Sequence, residues 1–437
     1  MQTLEQLLSG KLIGTKQLTL ACGLNSVPEA IYTLADTLEI LDLSNNQLSN
    51  LPSDFAKLHQ LRILFLSNNQ FTVFPEVLAQ CPKLTVIGFK QNQINHIAED
   101  AIPLQTRWLI LTDNHLKALP KSIGKCTQLE KFPVAGNQLT HLPDEMANCK
   151  NLALLRISAN QLSDLPEWLL AMPKLSWLAF SGNPFCKKID DRLLLDGIDW
   201  QQLTLTHQLG EGASGIISKA IWQAQNEVPK EVAVKLFKGA VTSDGYPEDE
   251  MHACILAGNH PHLVKVLGRI DHHPQQKQGL VFDLITNTFY NLGLPPSFDT
   301  CSRDVFLPNI HFTVAQILAI AKAIASVAAH LHGKGIMHGD LYAHNTLITA
   351  QHDTIFSDFG AASLYEITTP QAAYLQRIEV RAYGCLLDDL LQNCTEQHHL
   401  SDAAIVLKAL VPLCMQPTVL QRPSFEDILP LLEEIAL

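Results

Sequence analysis

The sequence predicts a multidomain α/β protein, in which a solenoid of repeated strands precedes a two-lobed domain of the α+β class. One observation is an asparagine that recurs every 22 or 23 residues up to residue 183. Another is an ordered set of four short motifs in the remaining chain. With 437 residues, the chain also exceeds what one hydrophobic core usually organises. We therefore divide it into residues 1–200 and 201–437.

The repeated unit places leucines around its asparagine. One copy, L-x-x-L-x-L-x-x-N-x-L, covers residues 38–48. A short strand would carry the inward leucines, and the asparagine amide would satisfy backbone groups where the chain leaves the strand. The pattern resembles the leucine-rich repeat family, whose stacked units share one continuous core. The repeat asparagines are Asn46, Asn69, Asn92, Asn114, Asn137, Asn160 and Asn183.

The ends of a solenoid need separate cover, because the terminal repeats must close the core with polar surface. We expect an N-terminal cap in residues 1–17. A C-terminal cap and linker is expected from Lys187 to Trp200, after which the second domain begins.

One outward position of each repeat is mostly apolar. In a leucine-rich solenoid this position faces the concave side, so adjacent repeats would align these side chains about 4.7 to 4.9 Å apart. We expect a protein surface to cover this strip, either a substrate or regulator or the second domain, because large apolar patches are seldom exposed. Alternatively, the side chains lean on one another and stay exposed. The apolar strip comprises Ile40, Ile63, Val86, Trp108, Leu154 and Trp177, with Lys131 as its polar member, and Phe65 and Ile110 widen it two residues further along their strands.

Composition limits the classes of partner. The net charge of -12 argues against a general affinity for nucleic acid or anionic membranes, which depends on Lys and Arg. Cys81, Cys126 and Cys149 share one repeat position, where cysteine behaves as a buried hydrophobe, and C-x-x-C spacing is absent from the sequence. We therefore expect a reducing, cytoplasmic compartment.

Membrane targeting is not expected. The N-terminus lacks a basic region and has Glu5 where a signal peptide would be apolar. The most apolar long segment, residues 317–331, is interrupted by Lys322 and is shorter than a bilayer span.

Four motifs follow one another in the second domain. They are a G-x-G-x-x-G segment within 209–217, V-A-V-K at 232–235, H-G-D-L-Y-A-H-N at 338–345 and S-D-F-G at 357–360. Glycines let the backbone approach phosphate, and a lysine supplies a compact charge. The carboxylate and amide oxygens suit Mg²⁺. In this order the motifs resemble the protein-kinase family.

The resemblance implies ATP and Mg²⁺ as cofactors and assigns the catalytic groups. Lys235 would hold the α- and β-phosphates, Asn345 and Asp358 would bind the metal, and Asp340 would orient and deprotonate the acceptor hydroxyl. Lys235 needs a carboxylate partner on the following helix. Glu250 is the preferred partner.

Glu248 is the alternative to Glu250, and both could simply lie on a solvated helix face. Phe282 would stand beside the adenine, with hinge backbone groups after it. The nucleotide-binding residues implied by the resemblance are Gly210, Glu211, Gly212, Ala213, Ser214, Gly215, Ile217, Ala233, Lys235, Glu250, Asp283, Ile285 and Leu347.

The chain departs from the family pattern at several positions. Gly339 occupies the arginine place of H-R-D in the catalytic loop, residues 338–345. Glu379 takes the place of an aspartate that anchors this loop in the family. Tyr342 and His344 replace the residues that distinguish Ser/Thr from Tyr kinases. The sequence has no A-P-E triplet, so the segment that cradles a peptide substrate is shortened.

The resulting hypothesis is an ATP-dependent protein kinase, acting on Ser or Thr more than Tyr, whose repeats recruit a substrate or regulator. One alternative is a small-molecule phosphotransferase of the aminoglycoside or choline kinase type, which shares His-Gly-Asp, D-F-G and the missing A-P-E. The Gly-rich loop, V-A-V-K and R-P-S-F at 422–425 favour the protein kinase. The other alternative is a pseudokinase scaffold, although every metal and lysine position is filled.

Overall fold

A computed structural model describes residues 2–186, 195–212, 214–224, 228–238, 241–242, 244–396 and 401–435. The chain divides into two compact units. The first contains Met1–Leu175 and Asn183–Phe185, and the second contains Ser176–Gly182 and Cys186–Leu437. This division differs from the predicted boundary at residue 201, because Ser176–Gly182 packs with the second unit.

The first unit is a stack of short parallel strands. A helix, α1 (Leu4–Leu8), begins with a capping box between Thr3 and Gln6 and lies within the predicted N-terminal cap. A short helix, α2 (Glu167–Leu170), lies near the end of the unit. The parallel strands are β1 (Gln17–Thr19), β2 (Ile40–Asp42), β3 (Ile63–Phe65), β4 (Val86–Gly88), β5 (Trp108–Ile110), β6 (Lys131–Pro133) and β7 (Leu154–Arg156).

Outside the strands, 3-10 turns return the chain to the next repeat. They occur at Glu29–Leu34, Phe55–Lys57, Glu76–Gln80, Lys121–Lys125 and Asp144–Asn148. The repeat cysteines Cys81, Cys126 and Cys149 follow three of these turns and are buried, as predicted. Burial raises the pKa of Cys81 to about 11, so this thiol is neutral.

The asparagines hold successive repeats together. Asn69 Oδ1 accepts the N–H of Leu48 at 2.9 Å, while its Nδ2 donates to the carbonyls of Leu43 and Leu66 at 3.0 and 3.1 Å. Asn92 and Asn137 repeat this arrangement. The predicted role is confirmed. Each amide satisfies groups of two neighbouring repeats, because a buried backbone group without a partner would be costly.

The apolar strip is aligned as predicted but is not an exposed patch. Ile40, Ile63, Val86, Trp108, Lys131 and Leu154 stand in register on neighbouring strands. Ile63, Val86 and Leu154 are each only 4% exposed. The Phe65 ring lies over Gly88, and Lys131 Nζ lies 4.2 Å from the centre of the Trp108 ring. The strip is therefore only partly exposed, and its coverage by a substrate or regulator stays a prediction.

Trp177 is the strongest departure from the predicted strip. It lies on β8 (Trp177–Ala179), belongs to the second unit and is 2% exposed. Trp177 is therefore not accessible to a separate partner, whereas its packing against Tyr342 agrees with the other expectation, that the second domain covers this position.

The second unit begins with a twisted sheet. Its strands are β9 (Gly197–Asp199), β10 (Leu203–Glu211), β11 (Gly215–Trp222), β12 (Lys230–Phe237), β13 (Val266–Asp271) and β14 (Gly279–Asp283). Their order in the sheet is β10, β11, β12, β14, β13 and β9, and α3 (Pro247–Ala257) follows β12 in the chain. Residues predicted as linker form β9, which pairs in parallel with β13. Residues 187–194 of that linker lie outside the described residues.

The rest of the second unit is mainly helical. The helices are α4 (Val314–Gly333), α5 (Pro370–Gln392), α6 (Asp402–Cys414) and α7 (Phe425–Glu433). Short strand pairs carry the motif segments between α4 and α5. These strands are β15 (Tyr290–Asn291), β16 (Ile336–Met337), β17 (Thr346–Ile348), β18 (Thr354–Phe356) and β19 (Ser363–Leu364).

Helix α4 includes the apolar segment noted in the sequence. By length and composition, α4 could cross a membrane, so the expectation that this segment is too short is corrected. In the structure 61% of its most apolar window is buried inside the protein, as in the core helix of a folded domain.

Candidate active site

A cavity of about 450 Å³ lies between the sheet of the second unit and the motif segments. Three apolar residues of the predicted nucleotide-binding set, Ile217, Ala233 and Leu347, line it together with Phe282. The other predicted residues that line the cavity are Gly212, Ser214, Gly215, Lys235, Glu250, Asp283, Ile285, Asn345 and Asp358. Groups from more than 100 residues of sequence are thus brought to one cleft.

Two residues of the Gly-rich segment lie away from the cavity lining. Gly210 and Glu211 are at the end of β10, where they pair with Ile217 and Ile216. The Glu211 carboxylate is exposed and forms an ion pair with Lys238 at 2.7 Å. Neither residue lines the cavity, so their assignment as nucleotide-binding residues stays a prediction. Ala213 lies outside the described residues.

Lys235 and Glu250 form a buried ion pair across the cavity wall. Lys235 projects from β12 and Glu250 from α3, whereas Glu248 accepts a hydrogen bond from Gln278 at 2.6 Å. Burial alone would lower the pKa of Lys235, but the Glu250 and Asp358 carboxylates raise it above its ordinary value. Lys235 is therefore a fixed cation at the cavity wall, suited to an anionic ligand.

Asp358 adopts a backbone conformation that is uncommon for residues other than glycine. Its φ is +63°, and the N–H of Gly360 donates to its Oδ1 at 3.1 Å. Such conformations persist where the surroundings fix them and cluster at functional sites. The carboxylate of Asp358 lines the cavity together with the amide of Asn345.

Asn345 also links the cavity to Asp340. Its Nδ2 donates to Asp340 Oδ2 at 2.7 Å and to the Asp340 carbonyl at 3.0 Å. These two bonds from Nδ2 fix the orientation of the Asn345 amide. The other polar atom of the side chain is Oδ1. Asp340 itself does not line the cavity, but it is hydrogen-bonded to Asn345, which does.

Glu379 anchors the catalytic loop from α5. Its carboxylate accepts the N–H of Gly339 at 2.7 Å and that of His338 at 3.2 Å, and it lies 2.8 Å from His332 Nε2. Burial alone would raise the pKa of Glu379, but these contacts lower it below its ordinary value, so it is ionised. Glu379, although its side chain is longer than that of aspartate, therefore anchors the catalytic loop as the family resemblance implies for this position.

Replacement of Glu379 by Gln is expected to destabilise the second unit. An amide NH₂ would face backbone donors, leaving buried groups without acceptors at a cost of about 1 to 3 kcal/mol. Thermal unfolding of the full chain measures this, with Glu426→Gln on the exposed face of α7 as the matched control. Equal melting temperatures for the two variants would contradict the anchoring role.

Sequence reasoning missed Asp304. This buried carboxylate accepts the N–H of Ala343 at 2.6 Å and of His344 at 3.2 Å, and lies 2.7 Å from His344 Nδ1. No motif surrounds it, so its role depends on tertiary packing. His344 lines the cavity, as do Leu209, Asp244, Cys254, Val264, Val266, Leu284, Asn291, Ser357, Phe359 and Gly360.

The site fits a nucleotide with a magnesium ion. Asp358 and Asn345 offer carboxylate and amide oxygens, the hard ligands that Mg²⁺ takes together with substrate phosphates. The space beside Gly212 is open, because a Cβ built there would meet nothing within 4 Å. Since glycine has no side chain, phosphate can approach the backbone closely at this turn. Lys235 supplies the positive charge.

Comparison with known families agrees with this geometry. The family described as protein tyrosine and serine/threonine kinase matches residues 203–381. Two leucine-rich repeat families match residues 36–73 and 127–185.

Similar proteins are also kinases by name. The tyrosine-protein kinase receptor TYRO3 of Danio rerio is 28% identical over 40% of this chain and 19% of its own length. A protein of Dictyostelium discoideum named "Probable serine/threonine-protein kinase gdt4" is 30% identical over 35% of this chain and 8% of its own. The CTD kinase subunit alpha of Schizosaccharomyces pombe is 26% identical over 39% of this chain and 26% of its own. The chain thus matches about a quarter or less of each relative.

The fold, the site and these similarities define the class. The chain consists of leucine-rich repeats followed by a protein-kinase domain.

Proposed function

We propose that this chain is an ATP- and Mg²⁺-dependent protein kinase that acts on Ser or Thr in preference to Tyr. The observation that carries the proposal is the convergence of Lys235, Glu250, Asn345 and Asp358 on one cavity. The preference for Ser or Thr rests on similarity to the Dictyostelium protein named as a probable serine/threonine kinase, while TYRO3 is named as a tyrosine kinase, so phosphoamino-acid analysis decides the acceptor.

In the proposed reaction, the acceptor oxygen bonds to the γ-phosphorus while the bond to the bridging oxygen breaks and ADP leaves. Asp340 orients the hydroxyl and accepts its proton. Lys235 pairs with the α- and β-phosphates, and Asn345 and Asp358 would hold Mg²⁺. The metal, when bound, neutralises negative charge on the phosphate oxygens.

A small-molecule phosphotransferase is the second candidate. It is favoured by one observation, namely that α5 begins at Pro370, soon after the D-F-G segment at 358–360. Little chain is available there to cradle a peptide. The complete kinase set of Gly-rich loop, Lys235 and Glu250 supports the protein kinase instead.

Transfer of label from [γ-³²P]ATP distinguishes the two candidates. The full chain would be offered casein, kanamycin and choline in parallel, with and without Mg²⁺. We expect Mg²⁺-dependent label on casein, mostly on Ser or Thr by phosphoamino-acid analysis. Label on kanamycin or choline alone would establish the second candidate, and label on none would contradict both.

The activation segment is the stretch between D-F-G at 358–360 and the start of α5 at Pro370. Activity is expected to be independent of phosphorylation of this segment. Gly339 has no side chain that could pair with a phosphate, whereas phosphorylation normally orders this segment through arginine. Phosphatase treatment should leave the rate of casein phosphorylation close to that of the untreated enzyme. A large loss after confirmed dephosphorylation would contradict this expectation.

We propose that the repeats bind a substrate or regulator. The partly exposed members of the apolar strip, Ile40, Phe65, Trp108 and Ile110, support this surface. Trp108→Glu should abolish retention of partners from cell extract while leaving thermal unfolding unchanged, because Trp108 is not an inward core residue. Identical sets of retained proteins for this variant and the wild type would contradict the proposed surface.

A cytoplasmic location is also proposed. The buried thiols of Cys81, Cys126 and Cys149 pack as core residues of the repeats, which suits a reducing compartment.

A further inference from the structure

The segment Ser176–Gly182, here named the brace segment, continues the repeat period in sequence but packs within the kinase unit. Trp177 stacks on Tyr342, with ring centres 4.4 Å apart and planes only 4° apart. Its Nε1 donates to the Leu341 carbonyl at 3.0 Å. Leu341 and Tyr342 directly follow Asp340, so Trp177 contacts the catalytic loop beside its base.

The brace segment is also tied to the chain after D-F-G. Ser363 Oγ accepts the N–H of Phe180 at 2.8 Å and that of Ser181 at 3.1 Å. Ser363 lies on β19, which pairs with β16 immediately before the catalytic loop. Two backbone donors thereby fix the short activation segment at one point.

Two helices complete the anchoring. Arg381 of α5 donates to Ser176 Oγ at 2.8 Å. At the other end, a Cβ on Gly182 would lie 2.6 Å from the Tyr246 ring and 2.8 Å from the Asp249 carboxylate, so α3 packs directly on this glycine. Helix α3 carries Glu250, and α5 carries Glu379. The brace segment therefore contacts four elements near the site, namely the catalytic loop, β19, α3 and α5.

This packing explains the glycine at position 339. Its φ is +73°, and a Cβ there would lie 2.6 Å from both the Leu178 and the Ala361 carbonyl oxygens. A side chain would collide with backbone on both sides. The brace segment thus occupies the space into which a longer residue at position 339 would extend.

We propose that the brace segment is a built-in positioning element for the catalytic loop, with Trp177 as the positioning residue that fixes Asp340 through Leu341 and Tyr342. The inference rests on the proposed function, since Asp340 is the base of that reaction. In this proposal, residues outside the family motifs order the catalytic loop. In other kinases, phosphorylation of the activation segment provides this ordering. Misplacement of a reacting group by about 1 Å can reduce a rate about 10²-fold.

The test uses the full chain with Trp177→Leu and Trp177→Phe. Trp177→Leu removes both the stacking and the N–H donor, whereas Trp177→Phe keeps an aromatic ring and loses only the donor. Trp168→Phe is the matched control, because the Trp168 Nε1 donates at 3.1 Å to Asp144 within the repeat unit. All four proteins are compared by thermal unfolding before rates are measured.

Trp177→Leu should lower kcat for casein phosphorylation at least about tenfold, with partial recovery in Trp177→Phe. The Kd for ADP with Mg²⁺, measured by calorimetry, should stay within about twofold, because Trp177 touches neither Lys235 nor Asp358. Trp168→Phe should match the wild type. A wild-type kcat in Trp177→Leu, or equal losses of kcat and ADP binding, would overturn the proposal.

Hydrogen–deuterium exchange separates this inference from the proposed function. Peptides covering residues 338–345 should exchange faster in Trp177→Leu than in the wild type, whether or not the enzyme labels casein. If the wild type labels no acceptor, the proposed function fails, and exchange alone decides the positioning role. Unchanged exchange in these peptides would overturn that role.

Discussion

Lys235→Met is expected to reduce casein phosphorylation by the full chain about 10²- to 10³-fold, the loss typical of one charge-stabilising group. Lys235 is a buried cation whose charge is maintained by Glu250 and Asp358 at the wall of the cavity. Methionine has a similar length and fills the same space, but it cannot stabilise negative charge on phosphate oxygens.

The matched control is Lys238→Met, three residues further along the chain. Lys238 is an exposed partner of Glu211 and does not line the cavity. Steady-state rates and the Kd for ADP with Mg²⁺ should remain close to wild type in this control. A rate for Lys235→Met equal to that of Lys238→Met would show that the cavity is not the phosphate site.

Asp358→Asn is expected to produce a loss of similar size, about 10²- to 10³-fold, by weakening the metal site. The amide retains an oxygen that can accept the N–H of Gly360, and asparagine tolerates the φ of +63° better than most residues. The fold should therefore persist while the negative charge is lost. The rate would be measured across a series of Mg²⁺ concentrations, where the variant should require more metal for half-maximal activity.

Asp353→Asn is the control for the loss of a carboxylate. Asp353 is exposed, and its Oδ2 lies 3.1 Å from Thr349 Oγ1, away from the cavity lining. The same Mg²⁺ dependence for Asp358→Asn and the wild type would mean that the metal is held by other groups.

Much of the fold was predictable because its signals are local. The asparagine period fixed the strands of the repeat unit, since each amide must satisfy backbone groups of adjacent repeats. The motifs likewise placed Lys235 and Asp358 at one site, because their order in the chain is that of a known fold.

The remaining features depend on tertiary contacts that no local pattern encodes. Trp177 follows the repeat period, yet stacking on Tyr342 places it in the kinase unit. Asp304 supports the catalytic loop from a stretch without a motif. Strand β9 adds to the sheet edge from a segment that looked like linker, because pairing with β13 is decided only in the folded chain.

Gly339, where the family pattern has arginine, is another residue whose explanation depends on tertiary contacts. From the sequence, the missing arginine suggests only that activity does not depend on phosphorylation of the activation segment. The structure adds a cause, because the carbonyls of Leu178 and Ala361 leave no space for a side chain there.

The most direct test of the central claim compares the wild-type chain with Asp340→Asn for transfer of ³²P from [γ-³²P]ATP to casein. Asp340 Oδ2 accepts a hydrogen bond from Asn345, and an asparagine can keep that contact but cannot take the proton of an acceptor hydroxyl. We expect Mg²⁺-dependent label on casein with the wild type and a rate at least about 10²-fold lower with Asp340→Asn. Equal rates for the two folded proteins would contradict it.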